Sequence, residues 1–315
     1  MQGYTINTRA YKTVHNQPIY VDVYTVDPPS PSPVLLWFHG GYIITGDRTA
    51  IPPWLVNAAF KRRWTIVSAD YRCLPESTGL ELIEDLRDAY SYVAQNLNVE
   101  VPSLINPKPC KYGSDSSPAA ILALYPMSSP CSERWTSKGL RWDEGLSASE
   151  TAETAADIER RLTAQEVSFG EAFPKNDDIK THKRWNTLRY ILEQARFVDY
   201  LTGVRGLGAR IADGGPEAIP AHLRVLFPTN FAITSEFPPL ILVHGTMDRD
   251  VPVADGEAWV NKCREVGARV TYYPVEGMDH AFDITYDTVE EEDQSDDPGK
   301  TALFKSLKDL DMLIR

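Results

Sequence analysis

Two short runs constrain this chain more than anything else in it. Residues 34–41 read VLLWFHGG and residues 238–245 read PPLILVHG. Each is continuously apolar and each stops at glycine. A strand with one wet face alternates polar and apolar residues, whereas a strand covered on both faces does not. The run WTIVSADY at 64–71 has the same character. Helical patterns come between such runs: residues 52–63, then GLELIEDLRDAYSYVAQNL at 79–97, whose Leu82, Leu86, Tyr90 and Val93 are spaced for one face, and ADGEAWVNKCREVG at 254–267. Strands that alternate with helices predict an α/β fold, a mostly parallel sheet with helices on both faces.

The rest of the chain fits around that sheet. PIYVDVYTV at 18–26 alternates and predicts antiparallel strands at the start, ending at DPPSPSP. AAILALYP at 119–126 and ARVTYYPVEG at 268–277 predict further strands, and KTALFKSLKDLDMLI at 300–314 a closing helix. Between them, residues 128–237 change texture and become helix-rich, so they read as a helical cap inserted into a core of residues 1–127 and 238–315. At 315 residues the chain has the length of an α/β domain with an insertion.

Composition removes several function classes. The net charge of −12 speaks against nucleic acid or an anionic membrane surface as partner. Eight acids fall between Asp283 and Asp297 with no base among them, which predicts a solvated loop, because the run lacks the ligand spacing and glycine of a calcium loop. Cys73, Cys110, Cys131 and Cys263 have no CxxC spacing, so neither a metal nor a disulfide framework is expected. The start, MQGYTINTRAYKT, has no apolar core of a secretory signal, and no run approaches a membrane span. A cytoplasmic protein is the expectation.

Chemistry gathers at the ends of the apolar runs. WFHGGYIITGDR at 37–48 places two glycines after a strand, where backbone N–H groups can approach a ligand closely. SADYRCLPE at 68–76 sets an arginine and a Pro-Glu after the next strand, HGTMDRDVP at 244–252 carries Asp248, and VEGMDHAFD at 275–283 carries His280. His39 and His244 also flank strand ends, in surroundings that suit turn hydrogen bonding. Taken together in this order, these segments resemble the α/β-hydrolase fold, in particular the esterase branch related to hormone-sensitive lipase. The resemblance runs from the first strands to the last helix. It implies that Gly40 and Gly41 donate N–H groups to an oxyanion, that His280 is the general base, and that Asp248 orients its imidazole. It further implies a small-molecule ester or lactone as substrate, with no cofactor. The acidic balance and the cap suit a neutral, partly apolar metabolite, and tailoring of a secondary metabolite is one such role.

One part of that resemblance fails. The family's nucleophile sits in Gly-x-Ser-x-Gly, on a sharp turn between a central strand and a helix. Here NVEVPSLINPKPCKYGSDSSP at 98–118 contains Pro102, Pro107, Pro109 and Pro118, and proline is excluded from central strands. The nearest fit to the motif centres on Ser116, with Ser114 and Pro118 where both glycines belong. A strand, elbow and helix are missing relative to the family, through a deletion or a mis-joined coding sequence. Two readings stay open: an ester hydrolase, or a non-catalytic binding or vestigial member of the fold. Either way, the strand at 119–126 should lie directly beside that at 34–39, or leave a gap.

Overall fold

The computed structural model describes residues 3–26, 32–97, 117–139, 145–173, 182–231, 233–290 and 296–314. Ser116 and the stretch expected to hold no regular strand, 98–113, lie outside them. The described chain opens with a long hairpin, β1 (Tyr4–Val14) and β2 (Gln17–Val26), paired antiparallel and turned at His15 and Asn16, both at positive φ. β3 (Val34–Phe38) follows, then α1 (Pro53–Lys61), β4 (Thr65–Ala69) and α2 (Gly79–Gln95). After β5 (Ile121–Leu124) come six helices: α3 (Glu133–Thr136), α4 (Ala148–Thr163), α5 (Lys183–Glu193), α6 (Phe197–Thr202), α7 (Leu207–Gly214) and α8 (Pro228–Phe231). The chain closes with β6 (Leu240–Gly245), α9 (Val253–Glu265), β7 (Val270–Val275) and α10 (Pro298–Ile314). α5 and α6 are separated at Ala195, which takes φ 53°.

Among the described residues the strands form two ladders. One has the order β1-β2-β4-β3 and the other β5-β6-β7. β3 and β4 run parallel from Val34↔Thr65 to Phe38↔Ala69, and β5 and β6 from Ile121↔Leu240 to Leu124↔Val243. No ladder joins β3 to β5, so of the two arrangements expected for this seam the described residues show the gap. The burial of the flanking strands is therefore a correction. Every residue of β4 and of β6 is buried, as a parallel strand between neighbours should be. β3 is half-buried throughout despite its apolar VLLWF, and in β5 Ala123 alone is buried. Each has a ladder partner on one side, and burial follows the neighbours rather than the composition.

Among the described residues, apolar packing bridges the seam where no ladder does. One apolar cluster combines Trp54, Leu55 and Ile66 from the first ladder's side with Ile241, Val243, Leu303 and Leu307 from the second. α1 also reaches the far loop directly, since Trp54 Nε1 donates to Asp283 Oδ2 at 2.6 Å. The acidic run is accordingly not a simple solvated loop. Asp283 is fully buried, Glu290 pairs with Arg62, and Asp297 caps α10 by accepting from the Gly299 N–H. The buried face of α2 is also rotated from the reading above. Leu82 and Val93 are buried, but Leu86 and Tyr90 are only half-buried, and Asp85 and Ala89 lie at the centre. Asp85 is drawn inward by Arg72, whose Nε and Nη2 both donate to it.

Candidate active site

β6 and β7 deliver their following loops side by side, and the loops are stitched together. The Met247 N–H donates to the Met278 carbonyl, the Thr246 N–H to Val275, and the Arg249 N–H to Asp279 Oδ1. Gly245 permits this approach, because a Cβ there would lie 2.3 Å from the Met278 oxygen. The stitching brings Asp248 and His280 together: His280 Nδ1 stands 2.8 Å from Asp248 Oδ2.

Asp248 is a saturated acceptor. Its Oδ1 takes the N–H groups of Asp250 and Val251 at 2.9 and 2.7 Å, and its Oδ2 contacts His280 and, at 3.2 Å, His244. Burial alone would raise this carboxyl, but the hydrogen bonds from His244, His280 and Val251 outweigh it and hold Asp248 well below the usual carboxylate range. A carboxylate that stays charged beside Nδ1 fixes the His280 tautomer and leaves Nε2 open, with no partner among the described residues. The imidazole is one-fifth exposed and has two aromatic rings beside it, Tyr125 edge-on at 4.5 Å and Tyr42 at 6.3 Å with the planes 25° apart. Tyr125 is itself held by its hydroxyl, which donates to buried Asp283.

The glycine loop lies at the end of β3. Gly41 takes φ 106°, and a Cβ there would meet the Thr45 carbonyl at 2.1 Å, so glycine is required. The Gly41 carbonyl accepts the N–H groups of Ile44 and Thr45, which folds the loop back on itself. His39 donates through Nδ1 to the Gly40 oxygen at 2.8 Å. In a trans peptide the carbonyl and the following N–H point opposite ways, so this bond also aims the Gly41 N–H. Among the described residues the N–H groups of Gly40 and Gly41 have no acceptor. Burial pulls His39 down to about 4, so it remains neutral, stacked 4.2 Å from Tyr71.

The remaining motif residues brace this loop. Asp70 receives the Arg48 N–H and guanidinium. Tyr71 donates to the His39 carbonyl. Glu76 receives Arg161 of α4 and Arg184 of α5. Arg184 also donates to the carbonyls of Ile44 and Leu74, so one side chain from the helical segment ties down the glycine loop. Residues 168–171 add backbone contacts, Cys73 N–H to Ser168 O and a bridge between Gly46 and Glu171. Sequence reasoning missed Arg184, Tyr42, Tyr125 and the second contact of His244. Of these four, Arg184 lies away from the apolar runs, whereas Tyr42, Tyr125 and His244 stand at the ends of such runs, where their residue types alone do not announce these contacts.

The comparisons agree with this architecture. A family model described as the alpha/beta hydrolase fold matches residues 35–122. An alpha/beta hydrolase superfamily protein from Enterococcus faecalis superposes with a TM-score of 0.61 at 15% identity, covering 97% of this chain and 98% of that one.

The chain has the α/β-hydrolase fold.

Among proteins with this fold it is related to esterases, at modest identity. It is 26% identical over 258 residues, 82% of its length, to Esterase LipC of Mycobacterium tuberculosis, of which it spans 55%. Over 102 residues it is 36% identical to the non-reducing polyketide synthase Preu6 of Preussia isomera, covering 31% of this chain and 5% of that one. The chain thus spans about half or less of these two relatives. Among the described residues no helix is long and apolar enough to cross a membrane, and no group of His, Cys, Asp and Glu could hold a metal.

Proposed function

We propose that this chain is a cytoplasmic carboxylic-ester or lactone hydrolase acting on a small organic metabolite. Residues 128–237 form the cap over a core of residues 1–127 and 238–315. The observation that carries the reading is the 2.8 Å contact of His280 with a buried, four-fold hydrogen-bonded Asp248. A serine hydroxyl presented to His280 Nε2 would lose its proton there as its oxygen attacks the ester carbonyl. Asp248 would stabilise the imidazolium, which then protonates the departing alcohol, and the N–H groups of Gly40 and Gly41 would receive the carbonyl oxygen's charge. Ser116 is the proposed nucleophile by its nearness to the family motif. The rings of Tyr42 and Tyr125 beside His280 favour a flat, partly apolar substrate. The local likeness to a polyketide synthase supports a secondary-metabolite ester.

A second reading is favoured by the seam. With no ladder joining β3 to β5 among the described residues, the place where the fold presents its nucleophile is not framed. On this reading the pocket binds its ligand without turnover. A fluorophosphonate probe with adduct mapping by mass spectrometry separates the two. A serine labelled stoichiometrically in the parent chain, and unlabelled after His280→Ala, establishes the hydrolase. A folded chain that binds an ester but labels at no serine establishes the binder. Labelling at Ser128 is not expected, because its hydroxyl donates to the Asp255 carbonyl at 2.6 Å.

A further inference from the structure

His244 is fully buried at the end of β6. Its Nε2 lies 3.0 Å from the Val251 carbonyl oxygen and 3.2 Å from Asp248 Oδ2. Both neighbours accept and neither donates, so Nε2 carries the hydrogen. On the other side of the ring, Nδ1 is buried with no partner, facing Gly256 so closely that a Cβ there would approach to 2.5 Å. A proton on Nδ1 would be a buried donor without an acceptor, which is costly, whereas a bare lone pair costs less. Asp248 Oδ2 therefore receives hydrogens from two imidazoles, His280 at the site and His244 behind it.

We propose that His244 is a positioning residue for the acid–histidine pair: neutral, locked in the Nε2–H tautomer, and sharing Asp248 Oδ2 with His280. The inference rests on the reading of that pair given above and adds a residue to it. Backbone N–H groups pin Oδ1 and the His244 N–H pins Oδ2, so the carboxylate cannot rotate away when His280 moves. By drawing electron density from Oδ2, His244 also moderates how strongly Asp248 holds the His280 proton. Other charged groups frame the same pair. Asp255 on α9 acts on His244, and Asp250, Asp279 and Asp283 surround His280, with Arg134 acting on Asp250 and Asp255. None of these hydrogen-bonds an imidazole nitrogen of either histidine among the described residues.

Imidazole nitrogen NMR on the full chain, labelled with ¹⁵N-histidine, tests this without any turnover. In the parent protein one His244 nitrogen, Nε2, should be protonated and Nδ1 should be bare. In His244→Phe, which keeps the ring shape and loses the donor, the His280 Nδ1–H resonance should move downfield as Asp248 Oδ2 is left to it alone. His244→Gln, whose amide nitrogen can reach the Nε2 position, should return that resonance toward its parent position. Cooperative thermal unfolding of each variant reports that it is folded. If the Phe variant does not fold, the parent tautomer and the Gln variant still decide. A His244 protonated on Nδ1, or an unmoved His280 resonance in a folded Phe variant, overturns the proposal. Probe labelling is read separately. The expected tautomer and shift without a labelled serine uphold His244 and remove the hydrolase reading, and a labelled serine with the wrong tautomer does the reverse.

Discussion

β6 and β3 are written in the same language, LILVHG and VLLWF, yet they occupy different environments. β6 lies between β5 and β7 and is buried at every position. β3 has β4 on one side, no strand joined to the other among the described residues, and is half-buried throughout. A continuous apolar run states what a strand can tolerate, while its ladder neighbours decide what it receives. The difference also separates the chemistry. The loops after β6 and β7 are stitched to each other and hold Asp248 and His280 without help from the seam. Among the described residues, no ladder joins β3 to β5 to frame the place where a nucleophile would be presented.

The sharpest way to break this comparison is a pair of truncations. Leu242→Ala, in the middle of β6, should cost about 2–5 kcal/mol, as deletions in packed cores do. Leu36→Ala, the corresponding change in half-buried β3, should cost about 1 kcal/mol, since less surface leaves water. Urea unfolding measures both, and equal losses would mean that β3 is as enclosed as β6. Next in size is Arg184→Met. It strips the Ile44 and Leu74 carbonyls of a donor and leaves Glu76 to Arg161. A loss of about 2–3 kcal/mol is expected, with faster hydrogen exchange at the Ile44 and Thr45 amides. Unchanged exchange there would show that the glycine loop holds its shape unaided.

Acid titration sharpens the comparison at a smaller scale, through two buried carboxyls with opposite shifts. Burial would raise Asp248, but its imidazole and N–H donors win and depress it. A depressed carboxyl stabilises the fold above its unfolded value of about 4 and loses that contribution as pH falls through the folded value. Asp283 is raised, because burial outweighs its bonds from Trp54 and Tyr125. It opposes folding when ionised, and acid relieves the cost. Thermal melting between pH 7 and 3 should therefore show Asp248→Asn flattening the acid-side decline and Asp283→Asn steepening it. The smallest effect belongs to the helical segment. Ser147→Ala removes the α4 cap, in which Ser147 Oγ accepts the Glu150 N–H and Glu150 receives the Ser147 N–H. It should cost about 1 kcal/mol by calorimetry and leave the seam untouched.

What could be read from residues alone follows the same division. The strands were legible because long apolar runs have few other uses, and Asp248 and His280 because each follows such a run. Their pairing needed the loops to be stitched, which Gly245 and Met278 accomplish through backbone contact that no pattern announces. Asp283 looked like one more acid in a solvated run, and Trp54, some 230 residues away in sequence, together with Tyr125 draws it inside. Likewise Asp85, which is not among the apolar residues that define the α2 face, is turned inward by Arg72. Long-range polar partners override local periodicity, and one sequence does not show them.

The Arg184 guanidinium has a bearing on engineering. Enzyme designers exchange insertions between related scaffolds on the assumption that each travels as a module, changing the roof of a pocket while the floor stays as it was. Here a side chain from the exchanged part completes hydrogen bonds in the retained part, at Ile44 and Leu74. On the proposed reading of residues 128–237 as the cap, a graft that replaces them without a cation at that point would leave the Ile44 and Leu74 carbonyls without this donor. Transplants into this scaffold have to carry that arginine with them.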